Sequence, residues 1–493
     1  MQSGKDGKSL SIAVLGAGMS GLAAVAKLKE AGYSNIDLFE KSDGVGGTWR
    51  DNTYPGCGCD VPSHLYSYSF DLNPDWDYKW SLQPQILQYF EDFADKFGVR
   101  PHCHFNSEIT DCSYDEASRT WTLTKSDGAT HTADVLISGL GQLNIPSIPD
   151  FKGKDSFKGP SFHSARWDHS VDLTGKTVCV IGNGPSAVQF VPEIQKQVGK
   201  LINFQRSPAW CRPRGQRKYA EADKRAFDRQ RWRINWYRWR IRAFADFGFT
   251  AFHQGENGMA KSMKKMCLKH LEDQVKDPKM RALLTPDFEP GCKRILISDD
   301  YYPALIQPNV EVIRQGVKEI TPTGVIGDDG VEHACDVIIY ATGFQSTEFL
   351  TPMQVHGRAG ESLNEVWKDG AEAYKGVAVP GFPNFFLLYG PNTNLGHNSI
   401  ILMVERQLEY ELQAIGRIAA ENVAALDVKP EAMKAYNEKL QADLGKTVWA
   451  GDCASWYKTE GGKVTNNWSG KTTEYAAIMR EFDPDSWQVI PAE

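Results

Sequence analysis

One pattern occurs twice along the chain: a short apolar run, a glycine-rich turn, a helix-period stretch and a second apolar run. The first copy is "SIAVLGAGMSGLAAVAKLKEAGYSNIDLFEKS", residues 11–42, with a helix predicted to about Ala31. The second is "TVCVIGNGPSAVQFVPEIQKQVGKLINFQRSP", residues 177–208, with a helix predicted to about Gln197. Each reads as a strand-helix-strand unit, so the predicted fold class is α/β with two Rossmann-like dinucleotide-binding domains. Between about 212 and 290 the pattern changes to a helical insertion, with Trp232, Trp236, Trp239 and Ala243 at helical spacing.

The turns carry chemistry. Gly16 permits a tight turn, Gly18 lets the backbone approach a pyrophosphate, and Gly21 allows close helix-strand packing, while the helix N-terminus offers free N–H groups to phosphate. Glu40 closes the second strand, where a carboxylate can accept ribose hydroxyls. The second turn has Gly182, Gly184, Ser186 and Ala187, and its second strand ends in Arg206 and Ser207 instead of an acid. A cation there suits the 2'-phosphate of NADP. The pair implies FAD on the first unit and NADPH on the second. The expected division is 1–150 (FAD, first part), 151–343 (NADP, with the insertion) and 344–493 (FAD, second part), so that both termini share one domain.

Composition changes this picture little. A chain of 493 residues with 41% hydrophobic and 24% charged residues reads as two or three globular domains, and a net charge of -7 offers no global reason to bind nucleic acid. Residues 212–242 nevertheless hold twelve Arg or Lys against three acids. The favoured reading packs their aromatic stripe on the protein, capping a substrate cavity; peripheral membrane contact is the less favoured one. The ten cysteines are scattered, without CxxC or zinc-like spacing, so reduced thiols and no metal site are expected. No apolar run approaches the roughly 18 residues of a membrane helix, and a cytoplasmic place is expected. "NWS" at 467–469 is an acceptor pattern for glycosylation that is not expected to be used.

A flavin beside NADPH could reduce a disulfide, a quinone or dioxygen. Cys57 and Cys59 stand two apart, too close for an unstrained redox disulfide. The stretch "GGTWRDNTYPGCGCD", residues 46–60, follows the first unit as a loop suited to flavin contact. Here the chain resembles the type I Baeyer-Villiger monooxygenases: Gly46, Gly47, Trp49, Tyr54, Pro55, Gly56 and Asp60 meet the pattern [AG]GxWxxxx[FY]P[GM]xxxD, and Phe157, Gly159, His163, Trp167 and Asp168 meet FxGxxxHxxxW[PD]. The resemblance runs from about Ser11 to Trp487 and is nearest the branch of 4-hydroxyacetophenone monooxygenase, through "DVPSHLYSYSF" and "CASWYK".

The resemblance implies an NADPH- and O2-dependent oxidation of a ketone to an ester or lactone through a flavin peroxide. It assigns Arg294 to stabilising the peroxide anion, Asp60 to orienting that guanidinium and the nicotinamide, and Lys293 to the 2'-phosphate with Arg206 and Ser207. It also puts Gly47, Thr48, Trp49 and Tyr66 at the flavin, Ile109 at the adenine and Trp456 at NADP. A helix starting near Asn398 could point at the flavin. In the linker, a segment that reads as neither helix nor strand, Phe157 and Trp167 are expected to anchor in the two flanking surfaces, Gly159 to allow a bend, and His163 to hold the segment by hydrogen bonds that change as the domains rotate. The alternatives are a flavin monooxygenase acting on amines or sulfides, disfavoured by Trp167, and a non-catalytic NADPH/FAD redox sensor, disfavoured by the Lys293–Arg294 pair.

Overall fold

The computed structural model describes residues 9–491 apart from 256, 421, 422 and 454. Two five-stranded, all-parallel sheets organise it, the α/β class that the repeated pattern predicts. In the first sheet the strand order is Phe385–Leu387, Val135–Ser138, Ile12–Leu15, Ile36–Phe39 and Cys103–His104. The central strand is apolar throughout because both its faces are covered: Ile12 and Val14 pack in one core with Leu22, Val25 and Leu28 of the Met19–Glu30 helix, and Ala13 and Leu15 in another with Trp121 and Leu123. Phe385–Leu387 comes from the far end of the chain and pairs with Val135–Ser138, Leu136 opposite Phe385.

The second sheet runs Val310–Ile313, Lys200–Phe204, Thr177–Ile181, Val337–Tyr340 and Ser161–His163. Val178 and Val180 face one core, Cys179 and Ile181 another. The Pro185–Ile194 helix covers the first of these and ends about three residues before the predicted Gln197.

Five expectations need correction. Residues 161–163 are an edge strand, Ser161 pairing with Ile338 and His163 with Tyr340; three residues are too short a run for periodicity to reveal. Phe157 and Trp167 do not divide between the two domains. Phe157 packs in one core of the second sheet and Trp167 in the other, edge-on to Phe162 and Phe190 at 5.2 and 5.3 Å. Gly159 serves a close approach, since a Cβ there would lie 2.3 Å from the carbonyl oxygen of Asp336.

The aromatic stripe of the insertion does not pack on the protein either. The helix Arg231–Gly248 buries Ile234, Arg238 and Asp246 and leaves Trp232, Trp236 and Trp239 exposed. The inward polar residues have tertiary partners that outweigh the tryptophans, so the helix does not cap a cavity with its stripe. Lastly, Cys292 and Cys453 are joined by a disulfide, and eight cysteines are free. The two cysteines are 161 positions apart, a pairing that spacing along the chain cannot show. Asn467 is wholly buried, its Oδ1 accepting a bond from Asn394 Nδ2 at 2.6 Å, so the NWS pattern offers no surface acceptor.

Candidate active site

Both glycine turns lie at the carboxyl ends of central strands, after Leu15 and Ile181, and they open onto one cavity of about 1110 Å3. This is where open parallel sheets bind ligands, and the volume exceeds that of a typical single-ligand pocket. Gly16, Gly18, Glu40, Gly47, Thr48, Trp49, Asp60, Tyr66 and Ile109 line it from the first half, and Gly182, Gly184, Ser186, Arg206, Ser207, Lys293, Arg294 and Trp456 from the rest. Gly21 and Ala187 lie behind the turns: a Cβ on Gly21 would fall 1.9 Å from Gly16 O, and Ala187 is buried in the second core. Gly47 faces Gly18 so closely that a Cβ on it would meet the Gly18 Cα at 2.8 Å. The two bare backbones form a cradle that admits a flat or extended ligand and no side chain.

Arg294 and Asp60 form the strongest electrostatic feature of the wall. Asp60 Oδ2 accepts from Nε at 2.8 Å and from Nη2 at 2.5 Å. Asp60 stands on the loop after the first unit and Arg294 follows the insertion, so the pair ties the two halves together. Burial works against the arginine's charge, but Asp60, with Tyr457 and Tyr389, outweighs it and raises the pKa further. The guanidinium is therefore a permanent cation facing a cavity. Tyr457, whose own pKa burial pushes to about 12 while Arg294 pulls it down, was not singled out by sequence; its place beside Trp456 in "SWY" was the available signal.

Lys293 reaches in the opposite direction. Its Nζ donates to Ser207 Oγ at 2.7 Å and lies 4.7 Å from the Phe288 ring centre. Burial, and then the charge of Arg206, lowers its pKa, so two cations meet where an anion would relieve them. Glu40 points both oxygens at backbone, accepting from Ala17 N at 2.7 Å and Ser42 N at 2.8 Å. It thus shapes the first turn as well as bordering the cavity.

Trp49 Nε1 donates to the Tyr66 hydroxyl at 3.0 Å, with the rings edge to face. Asn398 lines the cavity just before the helix Ile400–Ala420, its Nδ2 donating to Asp246 Oδ1 at 2.9 Å. His163 is buried at the cavity edge, with Nδ1 accepting from Ala165 N at 3.1 Å, and burial lowers its pKa to about 4. Burial raises the Cys57 thiol to about 12 and the Cys59 thiol further, so neither is a thiolate nucleophile. Gln189, on the second unit's helix, was missed: it accepts from Tyr54 OH at 2.9 Å and clasps the backbone of Gly58 through both amide atoms.

Comparison with known proteins agrees in kind. The flavin-binding monooxygenase-like family model matches residues 9–223. A Baeyer-Villiger monooxygenase of Streptomyces coelicolor is 42% identical over 487 residues, 97% of this chain and 92% of that one. A complex of OTEMO with FAD and NADP superposes with a TM-score of 0.87 at 28% identity, covering 97% of this chain and 99% of that one. A closed cyclohexanone monooxygenase gives 0.88 at 28% identity, covering 98% and 99%.

Proposed function

The chain belongs to the Baeyer-Villiger monooxygenases, FAD- and NADPH-dependent enzymes that insert one atom of O2 beside a ketone carbonyl, and we propose that Arg294 and Asp60 carry its chemistry. We assign residues 1–150 and 344–493 to the FAD unit and 151–343 to the NADP unit. The Gly18–Gly47 cradle fits a pyrophosphate passing between bare backbones, and the crowded cations Lys293 and Arg206, with Ser207, fit the extra phosphate that separates NADP from NAD.

Bound FAD, reduced by the nicotinamide, supplies the oxygen-activating chemistry. The residues do the rest. Asp60 fixes the fork of Arg294 through two bonds to one oxygen. Arg294 holds a positive charge against the negative charge that develops on the ketone oxygen, and a guanidinium does so at every working pH. Thr48, Trp49 and Tyr66 wall the flavin side, Ile109 the adenine side and Trp456 the nicotinamide side. Neutral His163 positions the strand at the edge of the second sheet. The observation that carries this reading is the doubly bonded Arg294–Asp60 pair, set in one cavity between two dinucleotide turns. No helix among the described residues is long and apolar enough to cross a membrane.

The test is to follow NADPH oxidation under isotopically heavy O2 with a panel of aliphatic, cyclic and aryl ketones. An ester or lactone bearing one heavy oxygen is expected from at least one ketone. Release of hydrogen peroxide alone with every ketone, or oxygenation of amines and sulfides only, overturns the reading.

A further inference from the structure

The helix Arg231–Gly248 is inverted relative to a helix that packs on a soluble core. Arg238 and Asp246 are buried, while Trp232, Trp236, Trp239, Phe244 and Phe247 are 63, 52, 56, 81 and 62% exposed. Thirteen large hydrophobic side chains are exposed among the described residues, and five of them stand on this one helix. At 3.6 residues per turn the three tryptophans and Phe247 share a face about 80° wide, with Phe244 about 60° beyond its edge. Isolated exposed aromatics need no explanation, whereas a continuous row marks an interaction surface.

The helix cannot roll to hide this row. Arg238 Nη1 donates to His64 O at 2.6 Å and to Ser67 O and Oγ at 2.9 Å. Asp246 accepts from Asn398 at 2.9 Å and from Thr472 Oγ1 at 2.8 Å. Half a turn would strand a buried guanidinium and a buried carboxylate, each a strongly destabilising loss of partners.

The charges identify the occupant. The chain carries a net -7, yet residues 212–242 hold twelve cations against three acids. Arg225, Arg229, Arg233 and Arg240 are exposed; Arg233 lies 5.8 Å from the Trp232 ring centre and Arg240 4.7 Å from that of Trp236. Indole rings with guanidinium groups beside them match a bilayer boundary, where rings enter the acyl margin and cations meet phosphates. A second copy, docked about a twofold axis, would bring two copies of the same basic surface together without supplying acids to pair with it. A nucleic acid would engage the arginines and leave Phe244 and Phe247 in water. We propose that this helix binds the surface of anionic membranes, so that the enzyme is a peripheral membrane protein.

The test uses the full flavin-loaded chain with vesicles of phosphatidylcholine, alone or with about one-third phosphatidylglycerol. Sedimentation with the anionic vesicles only, a blue shift of tryptophan fluorescence and weakening by salt are expected. W232S/W236S/W239S should bind at least about tenfold more weakly. R233Q/R240Q should lose about fivefold per arginine, roughly thirtyfold together. Both variants should keep the parent's thermal midpoint and ketone oxidation. The proposal is overturned if the parent stays in the supernatant with anionic vesicles at low salt, or if either variant binds as well as the parent. A concentration-dependent dimer that the tryptophan changes abolish, or oligonucleotide binding without vesicle binding, likewise overturns it.

Discussion

Replacing Asp60 by alanine removes the only carboxylate bonded to Arg294 among the described residues, and the outcome can be sized from the geometry. Both bonds end on Oδ2, at 2.8 and 2.5 Å, and the side chains are 22% exposed for Arg294 and 29% for Asp60. Hydrogen bonds to charged groups are worth about 1.5–3 kcal/mol each when dry. Partial exposure and the shared acceptor oxygen reduce the pair to roughly 2 kcal/mol of orientation. If that orientation is spent wholly at the reacting carbonyl, the rate of ester formation falls about thirtyfold, since 1.36 kcal/mol is a factor of ten. Global stability should suffer less. A loss of this size shifts the midpoint of a chain this long by only a few degrees. Rapid mixing separates the steps: reduction of the bound flavin by NADPH without oxygen, then ester yield after oxygen and ketone are added. Ester formation within about threefold of the parent at an unchanged midpoint would show that Asp60 does not position Arg294, and the proposed role would fall.

Other perturbations read other parts of the site. Lys293→Ala and Arg206→Ala should each erode the preference for NADPH over NADH by about tenfold or more, measured as the ratio of kcat/KM for the two cofactors, because each removes a charge that only the extra phosphate meets. His64 and His163 have pKa values that burial lowers from 6.5 to about 4. Each therefore adds stability that is present above pH 6.5 and lost as the pH falls toward 4, where the unfolded chain binds protons that the folded one refuses; the midpoint of His64→Asn should depend less on pH across that window. Thiol titration of the denatured chain should find eight groups before reduction and ten after it.

What sequence could reveal follows from what each residue type is needed for. Gly21 was legible because only a missing Cβ tolerates Gly16 O at 1.9 Å, a demand that the spacing of the turn itself imposes. Glu40 was legible as an acid at the strand end, yet its bonds to Ala17 and Ser42, which shape the turn, are tertiary details. The convergence of Lys293 on Ser207 crosses 86 positions and was reached only through the family resemblance. Gln189 and Tyr457 were missed because amides and phenols occur everywhere, and only the folded neighbourhood gives them a task.

The insertion shows the limit most clearly. Helical spacing identified Trp232, Trp236 and Trp239 as one face, but spacing is indifferent to whether that face turns in or out. Hydrophobicity argues for inward, and it loses here because Arg238 finds three acceptors at 64–67 and Asp246 finds donors at 398 and 472. Two of those partner segments, 64–67 and the one at 398, border the cavity at Tyr66 and Asn398. The orientation of the aromatic row is thus set by the same contacts that brace the walls of the site. A change that loosens Arg238 should therefore disturb both flavin retention and the surface row, while changes to the tryptophans should leave the cavity untouched.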